Sequence, residues 1–114
     1  MFNPEEFPAF IHQLPEADLP VKNLQGWISR GKTGLLLFLI SREEVHLPEH
    51  SHGDQWGIVV GGSMELTIGT VTRTMKKGDS YFIPAGVLHH AILHKGFQAI
   101  DYFDDPDRYR EKSS

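Results

Sequence analysis

The sequence predicts an all-β domain, a sandwich or barrel of short strands. Three observations carry this. Strand-like segments recur about every ten residues with glycine or proline between them. Ser63 to Ile68 alternates cleanly, with Met64, Leu66 and Ile68 on one face and Ser63, Glu65 and Thr67 on the other. No stretch of ten or more residues keeps a 3.6-residue apolar period. In chain order, Gln25 to Arg30 reads as a short strand ended by Gly31-Lys32-Thr33-Gly34. Leu35 to Ser41 is apolar on both faces, as a strand covered on both sides should be. Glu44 to Leu47 alternates weakly and is expected to end at Pro48. Gln55 to Val60 ends at Gly61-Gly62. Gly69-Thr70 suits a two-residue hairpin turn between the 63–68 strand and Val71 to Met75. Ser80 to Ile83, Val87 to His94 and Phe97 to Phe103 complete the set.

Flanking the strands are two segments of different character. Residues 1–23 form an expected N-terminal arm, with Pro4, Pro8, Pro15 and Pro20 limiting its own hydrogen bonds. Phe2, Phe7, Phe10, Ile11 and Leu14 give that arm apolar groups to pack on something. Residues 24–103 form the β domain. Residues 104–114 form a tail that makes one short turn after Asp105-Pro106 or frays.

The chain has 114 residues, the usual size of one domain. Hydrophobic residues are 39% and charged residues 23%, the balance of a folded globular chain. There is no cysteine, which excludes a disulfide scaffold, a zinc–thiolate site, an iron–sulfur cluster and a cysteine nucleophile. The net charge is −4 and no basic stripe is visible, so a nucleic-acid partner is not expected. The longest apolar run, Leu35 to Ile40, is far short of a membrane span. The N-terminus lacks the positive start and apolar stretch of a signal peptide, and the cytoplasm is the expected compartment.

Seven histidines are present, six of them between positions 46 and 94. In His50-Ser51-His52, residues two apart project from the same face of an extended segment, which suits two ligands on one metal ion. Neutral imidazole suits zinc, copper, iron and nickel. Taken alone, such a pair is more often two polar surface residues than a metal site. It is followed by Gln55 at a strand start and by Gly62 seven residues later. Gly78, Pro84, Gly86 and His89 then recur at fixed intervals.

These residues resemble the two motifs of the cupin family, G-x5-H-x-H-x(3,4)-E-x6-G and G-x5-P-x-G-x2-H-x3-N. The second matches at Gly78, Pro84, Gly86 and His89, with Leu93 in place of the terminal Asn. The first matches at His50, His52 and Gly62. Glu44 replaces its leading Gly, and Gln55 stands where the metal-binding Glu should, one residue nearer His52. The resemblance spans roughly residues 35 to 103. It implies a double-stranded β-helix, a jelly-roll barrel of two antiparallel sheets.

The resemblance also implies one divalent transition metal ion (zinc, iron, nickel, manganese or copper) held by His50, His52, His89 and Gln55. The amide oxygen of Gln55 is then a weak neutral ligand, in the coordination sphere or one water away. Three protein ligands with an open position is a catalytic arrangement. The implied functions are a metal-dependent dioxygenase, isomerase or lyase acting on a small polar or carboxylated molecule. The alternative is a non-enzymatic binding or sensing module that takes a small-molecule ligand in the same cavity. A homodimer is expected, because small cupins pair through a sheet face. His90 and His94 read as solvated or interface residues, His46 as surface and His12 as part of the arm. Asp54 reads as a loop carboxylate or an outer partner of a ligand His. Trp56 reads as a core or interface aromatic, or as a wall of the pocket.

Overall fold

The computed structural model describes residues 6–113, so Phe2 and Pro4 of the expected arm lie outside the described residues. Nine strands follow one 3-10 turn at Ile11–Gln13: β1 (Leu24–Arg30), β2 (Leu35–Ser41), β3 (Val45–His50), β4 (Gln55–Gly61), β5 (Ser63–Ile68), β6 (Val71–Lys76), β7 (Ser80–Ile83), β8 (His89–Leu93) and β9 (Gln98–Phe103). They form two antiparallel sheets of order β1-β2-β9-β4-β7 and β3-β8-β5-β6. Their inner faces meet in one core that includes Leu35, Val59, Ile83, Leu93 and Phe97. Burying such side chains contributes about 1.5–3 kcal/mol each. Among the described residues, no helix is long and apolar enough to cross a membrane.

The third strand corrects one expectation. Pro48 does not end it: β3 continues to His50. The strand lies at the edge of its sheet, where proline's missing N–H costs no ladder bond. The register shifts between Leu47 and His50, and beyond that bulge His50 pairs directly with His89 of β8. The position of Gly62 between β4 and β5 is sterically forced. Its φ is +64°, and an added Cβ would lie 2.7 Å from Phe97 Cα and 2.8 Å from Gly96 O.

The arm is bound at several points. Phe7 meets Phe38 edge-on, with ring centroids 5.6 Å apart, and His12 stacks on Trp27 at 4.2 Å. Ala17 N–H donates to Gly26 O, and Ile28 N–H donates to Pro15 O, so the arm covers the open edge of β1. The tail makes its turn, with Arg108 N–H donating to Asp105 O, and it does not fray there. It pairs with the arm through Asp18 N–H to Arg110 O and Lys112 N–H to Glu16 O. Arg30 also donates to the carbonyls of Pro106 and Tyr109. The arm therefore lies between β1 and the tail and is hydrogen-bonded to both.

Candidate metal centre and its cavity

Strand pairing brings His50 and His89 together, and the loop after β3 adds His52. Ring centroids are 4.2 Å apart for His50–His89, 4.7 Å for His52–His89 and 5.3 Å for His50–His52. One ligand nitrogen from each lies within 4.8 Å of the others.

The hydrogen bonds settle which nitrogen faces inward. Nδ1 of His50 lies 2.7 Å from Pro48 O, Nδ1 of His52 2.9 Å from Gly53 O, and Nδ1 of His89 3.0 Å from Val87 O. A carbonyl only accepts, so each Nδ1 carries the proton. In the neutral rings, Nε2 then holds the lone pair. Nε2 of His52 and Nε2 of His89 face each other at 3.1 Å. Two lone pairs at that distance need a proton or a cation between them. Burial pushes His52 down to about 4 and lowers His89, with Arg108 adding repulsion at both. A proton between the rings is disfavoured, and the donor set fits a metal ion of the nitrogen-preferring kind.

These nitrogens open on a cavity of about 460 Å³ between the sheets. Its wall is largely apolar, with Leu37, Leu39, Met64 and Leu66 among its residues. Facing the histidines across it is a polar group on the five-stranded sheet. Asp101 of β9 is 2% exposed. Its Oδ1 accepts Tyr81 Oη–H at 2.6 Å and Gln55 Nε2–H at 2.9 Å. Gly57 makes room for this pair: a Cβ there would lie 2.1 Å from Asp101 Oδ1 and 2.4 Å from the Tyr81 ring. Burial raises Asp101 to about 6, against the opposing pull of its two donors, and burial also holds Tyr81 well above its ordinary value.

Gln55 lines this cavity, as the sequence position implies. Its amide nitrogen is spent on Asp101. Its Oε1 accepts no hydrogen bond among the described residues. Trp56, by the two-residue period, points to the outside of the sheet and is 46% exposed, so it does not wall the cavity. Asp54 is not an outer partner of a ligand histidine: its Oδ1 accepts Ala85 N–H at 2.7 Å and ties the two ligand-bearing loops together. His46 bonds Glu44, and His94 bonds Glu44 and Glu65, on the outer surface.

Asp101, Tyr81, Arg108 and Tyr109 line the cavity at positions that the motif reading left out. The tail turn delivers the last two to the cavity wall. The Arg108 guanidinium lies 4.2 Å from the Tyr109 ring centroid and 5.4 Å from that of Phe103. Its Nε is buried with no hydrogen-bond partner, and Arg108 forms no salt bridge among the described residues.

Comparison with known proteins agrees with this architecture. The family profile described as cupin domain matches residues 37–99. No curated protein sequence matches the chain significantly. KdgF from a Halomonas species superposes with a TM-score of 0.71 at 21% identity, covering 80% of this chain and 89% of that one. An RmlC-like cupin from Shewanella frigidimarina gives 0.74 at 24% identity, covering 85% and 87%. Oxalate decarboxylase from Bacillus subtilis gives 0.73 at 16% identity, covering 85% of this chain and 29% of that larger one. The two-sheet barrel, the paired His50 and His89, the glycine at position 62 and the profile match over more than half the chain converge on one conclusion: the chain belongs to the cupin domain family.

Proposed function

We propose that this protein is a metal-dependent enzyme that moves a proton on a small carboxylated molecule, an isomerase or lyase rather than a dioxygenase. One observation carries the reading. A single cavity holds three convergent imidazole nitrogens, a buried carboxyl and a guanidinium whose buried Nε has no hydrogen-bond partner.

His50, His52 and His89 would hold the ion, with Gln55 Oε1 as the fourth candidate ligand. A divalent ion bound there supplies a Lewis acid for a substrate oxygen. The Arg108 guanidinium, with no carboxylate of its own, binds an anionic group of the substrate and excludes cationic ones. The wall residues Leu37 and Met64 keep water from the reacting carbon. Asp101 takes and returns the proton. Tyr81 and Gln55 both donate to Oδ1, so the transferred proton sits on Oδ2. A carboxyl near 6 is poised to work in both directions close to neutral pH.

Isotope exchange tests the reading. Metal-loaded protein is incubated in D2O with a panel of small oxo- and hydroxycarboxylates, and deuterium at the carbon beside the carboxylate is followed by NMR. The wild type should incorporate deuterium, and Asp101→Asn should not, while keeping its metal. Incorporation at the same rate in Asp101→Asn would remove the carboxyl from the chemistry. Tight binding of the same acids with no exchange would favour the non-enzymatic reading, which the largely apolar wall also accommodates.

A further inference from the structure

The two sheets leave a seam between β6, which ends the four-stranded sheet, and β7, which ends the five-stranded one. On β6 the side chains that face the other sheet are Val71, Arg73 and Met75. They pair with Ile68, Leu66 and Met64 of β5, and Met64, Leu66 and Met75 belong to the core. Of the three β6 residues only Met75 is buried. Val71 is 55% exposed, and Arg73 is exposed as well. The inward face of β6 is thus uncovered toward its start.

That uncovered space is a cavity of about 400 Å³, within the ordinary range for a small-molecule site. Leu66, Ile68 and Val71 line it from one sheet, Tyr81 and Phe82 from the other. A cation at an inward position of a sheet ordinarily has a carboxylate partner. Arg73 has none: it forms no ion pair and no side-chain hydrogen bond among the described residues. Acidic residues outnumber basic ones in the chain, 15 to 11, yet none of them lines this cavity. The anion that matches Arg73 therefore has to come from outside the fold.

We propose that this seam is a second binding site, for a free amphipathic monocarboxylate whose carboxylate sits on Arg73 and whose hydrocarbon chain lies between Ile68, Val71 and Phe82. Three points select this ligand. First, a guanidinium takes a carboxylate as a bidentate pair and excludes cations. Second, the rest of the lining carries no charge, and Ser80 adds only a hydroxyl, so a hydrocarbon tail fits where a second anionic group does not. Third, a bound hydrocarbon covers Val71 and Phe82, which is 54% exposed, and so removes apolar surface from water. No ligand histidine lines the seam, although Leu66 and Tyr81 are walls of both cavities. Binding here needs no metal and does not rest on the chemistry proposed for the metal centre.

Titration of the methyl-labelled full chain with octanoate, followed by NMR, tests the proposal, with 1-octanol as the uncharged control. Octanoate should shift the methyl signals of Ile68 and Val71 and saturate. Octanol should bind there at least about tenfold more weakly, the effect of losing a charge-assisted hydrogen-bond pair. Arg73→Gln should weaken octanoate binding by the same factor, with an unchanged CD spectrum and metal content. Octanoate and octanol binding equally would overturn the proposal, as would an Arg73→Gln variant with wild-type affinity. Shifts at Leu37 and Leu39 but not at Ile68 and Val71 would place the acid in the metal-side cavity and overturn it too. A wild type that shows no shift at millimolar octanoate, beside an Arg73→Gln variant that aggregates, would overturn it and assign Arg73 to keeping the β6 edge from pairing with other chains.

Discussion

The two sheets share one core and differ on both of their faces. Inside, the four-stranded sheet presents His50 and His89, while the five-stranded sheet presents Gln55, Tyr81 and Asp101. Outside, the four-stranded sheet carries Glu65, Thr67 and Thr74, with His46, His94 and Glu44 tied into the same surface by ion pairs. The five-stranded sheet carries an uncharged aromatic row. Because side chains alternate, one strand carries two unrelated messages at adjacent positions. Gln55 faces the cavity and Trp56 faces outward. Tyr81 bonds Asp101, while Phe82 lies exposed. A substitution should therefore act on metal, proton or surface according to its parity and its sheet.

The largest effect is expected where the four-stranded sheet holds metal. His89→Ala removes a nitrogen whose Nδ1 is already fixed by Val87 O. Losing an outer partner of a metal ligand costs 10- to 100-fold in affinity, so losing the ligand itself should cost about 100-fold or more. His90→Ala, one residue away on the opposite parity, should leave metal content unchanged. Elemental analysis after dialysis against a fixed free-metal buffer reads both. Equal losses in the two variants would break the parity argument.

Much of this was legible in the sequence, and what was not has physical causes. Strand alternation marks β5, the hairpin turn after it marks β6, and the spacing of His50, His52 and His89 marks the three rings that the fold brings together. Pro48 misleads because a breaker in isolation is harmless at a sheet edge with a bulge beside it. Asp101 left a trace: it is a carboxylate between Ala99 and Phe103 on the otherwise apolar inward face of its strand. Arg108 and Tyr109 left none. Their placement depends on the tail meeting the arm through Lys112–Glu16 and Arg110–Asp18, contacts between residues about ninety positions apart, and no local period encodes those.

On the five-stranded sheet the next effect is one of proton affinity. Asp101 is raised from 3.8 to about 6 in the folded protein. Its neutral form is thus the one that folding favours. The contribution to stability is fully present below pH 3.8 and is lost as pH rises through about 6. The loss is about 3 kcal/mol above pH 7, from the shift at 1.36 kcal/mol per unit. Asn keeps an oxygen for Tyr81 and Gln55 and never ionises. Metal-free Asp101→Asn should therefore be more stable than wild type at pH 8 by up to that amount, and no more stable at pH 4. Urea titrations at the two pH values measure the difference. A variant less stable at pH 8 would mean that the ionised carboxyl is not the strained form.

Gln55 joins the two inner walls, and its replacement should have an intermediate effect. Gln55→Ala should weaken metal binding less than His89→Ala does, since an amide oxygen is a poorer ligand than imidazole for these ions. Gln55→Glu sets a second carboxyl where an amide N–H now donates to Asp101 at 2.9 Å. The metal-free variant must hold a proton between the two carboxyls. Metal binding should then release that proton, giving a steeper dependence of affinity on pH than in wild type. Calorimetry in buffers of different ionisation enthalpy counts the protons. Identical affinities for all three proteins would place the Gln55 side chain outside the coordination sphere.

The smallest effect belongs to the outer surface of the four-stranded sheet. His94 Nδ1 lies 3.4 Å from Glu44 Oε1, and its Nε2 contacts Glu65 Oε2. Both partners are carboxylates, so both nitrogens donate and the ring is an imidazolium. The hydrogen bond to Glu65 is the main cause of its raised pKa; Glu65 is itself lowered first by Thr74 and then by His94, and Glu44 first by His46 and then by His94. The sign is opposite to that of the ligand histidine His52. The contribution of His94 is fully present below pH 6.5 and is lost as pH rises through the raised value. Glu65→Gln should bring the His94 titration, followed by NMR of the ring protons, back toward 6.5. It should leave the wild-type stability almost unchanged, because these groups are solvated and screened. A His94 titration that Glu65→Gln does not move would mean that the ring is held by Glu44 alone. The same experiment on the five-stranded sheet has no counterpart, since no outward position of its β2, β9, β4 or β7 strands titrates near neutral pH.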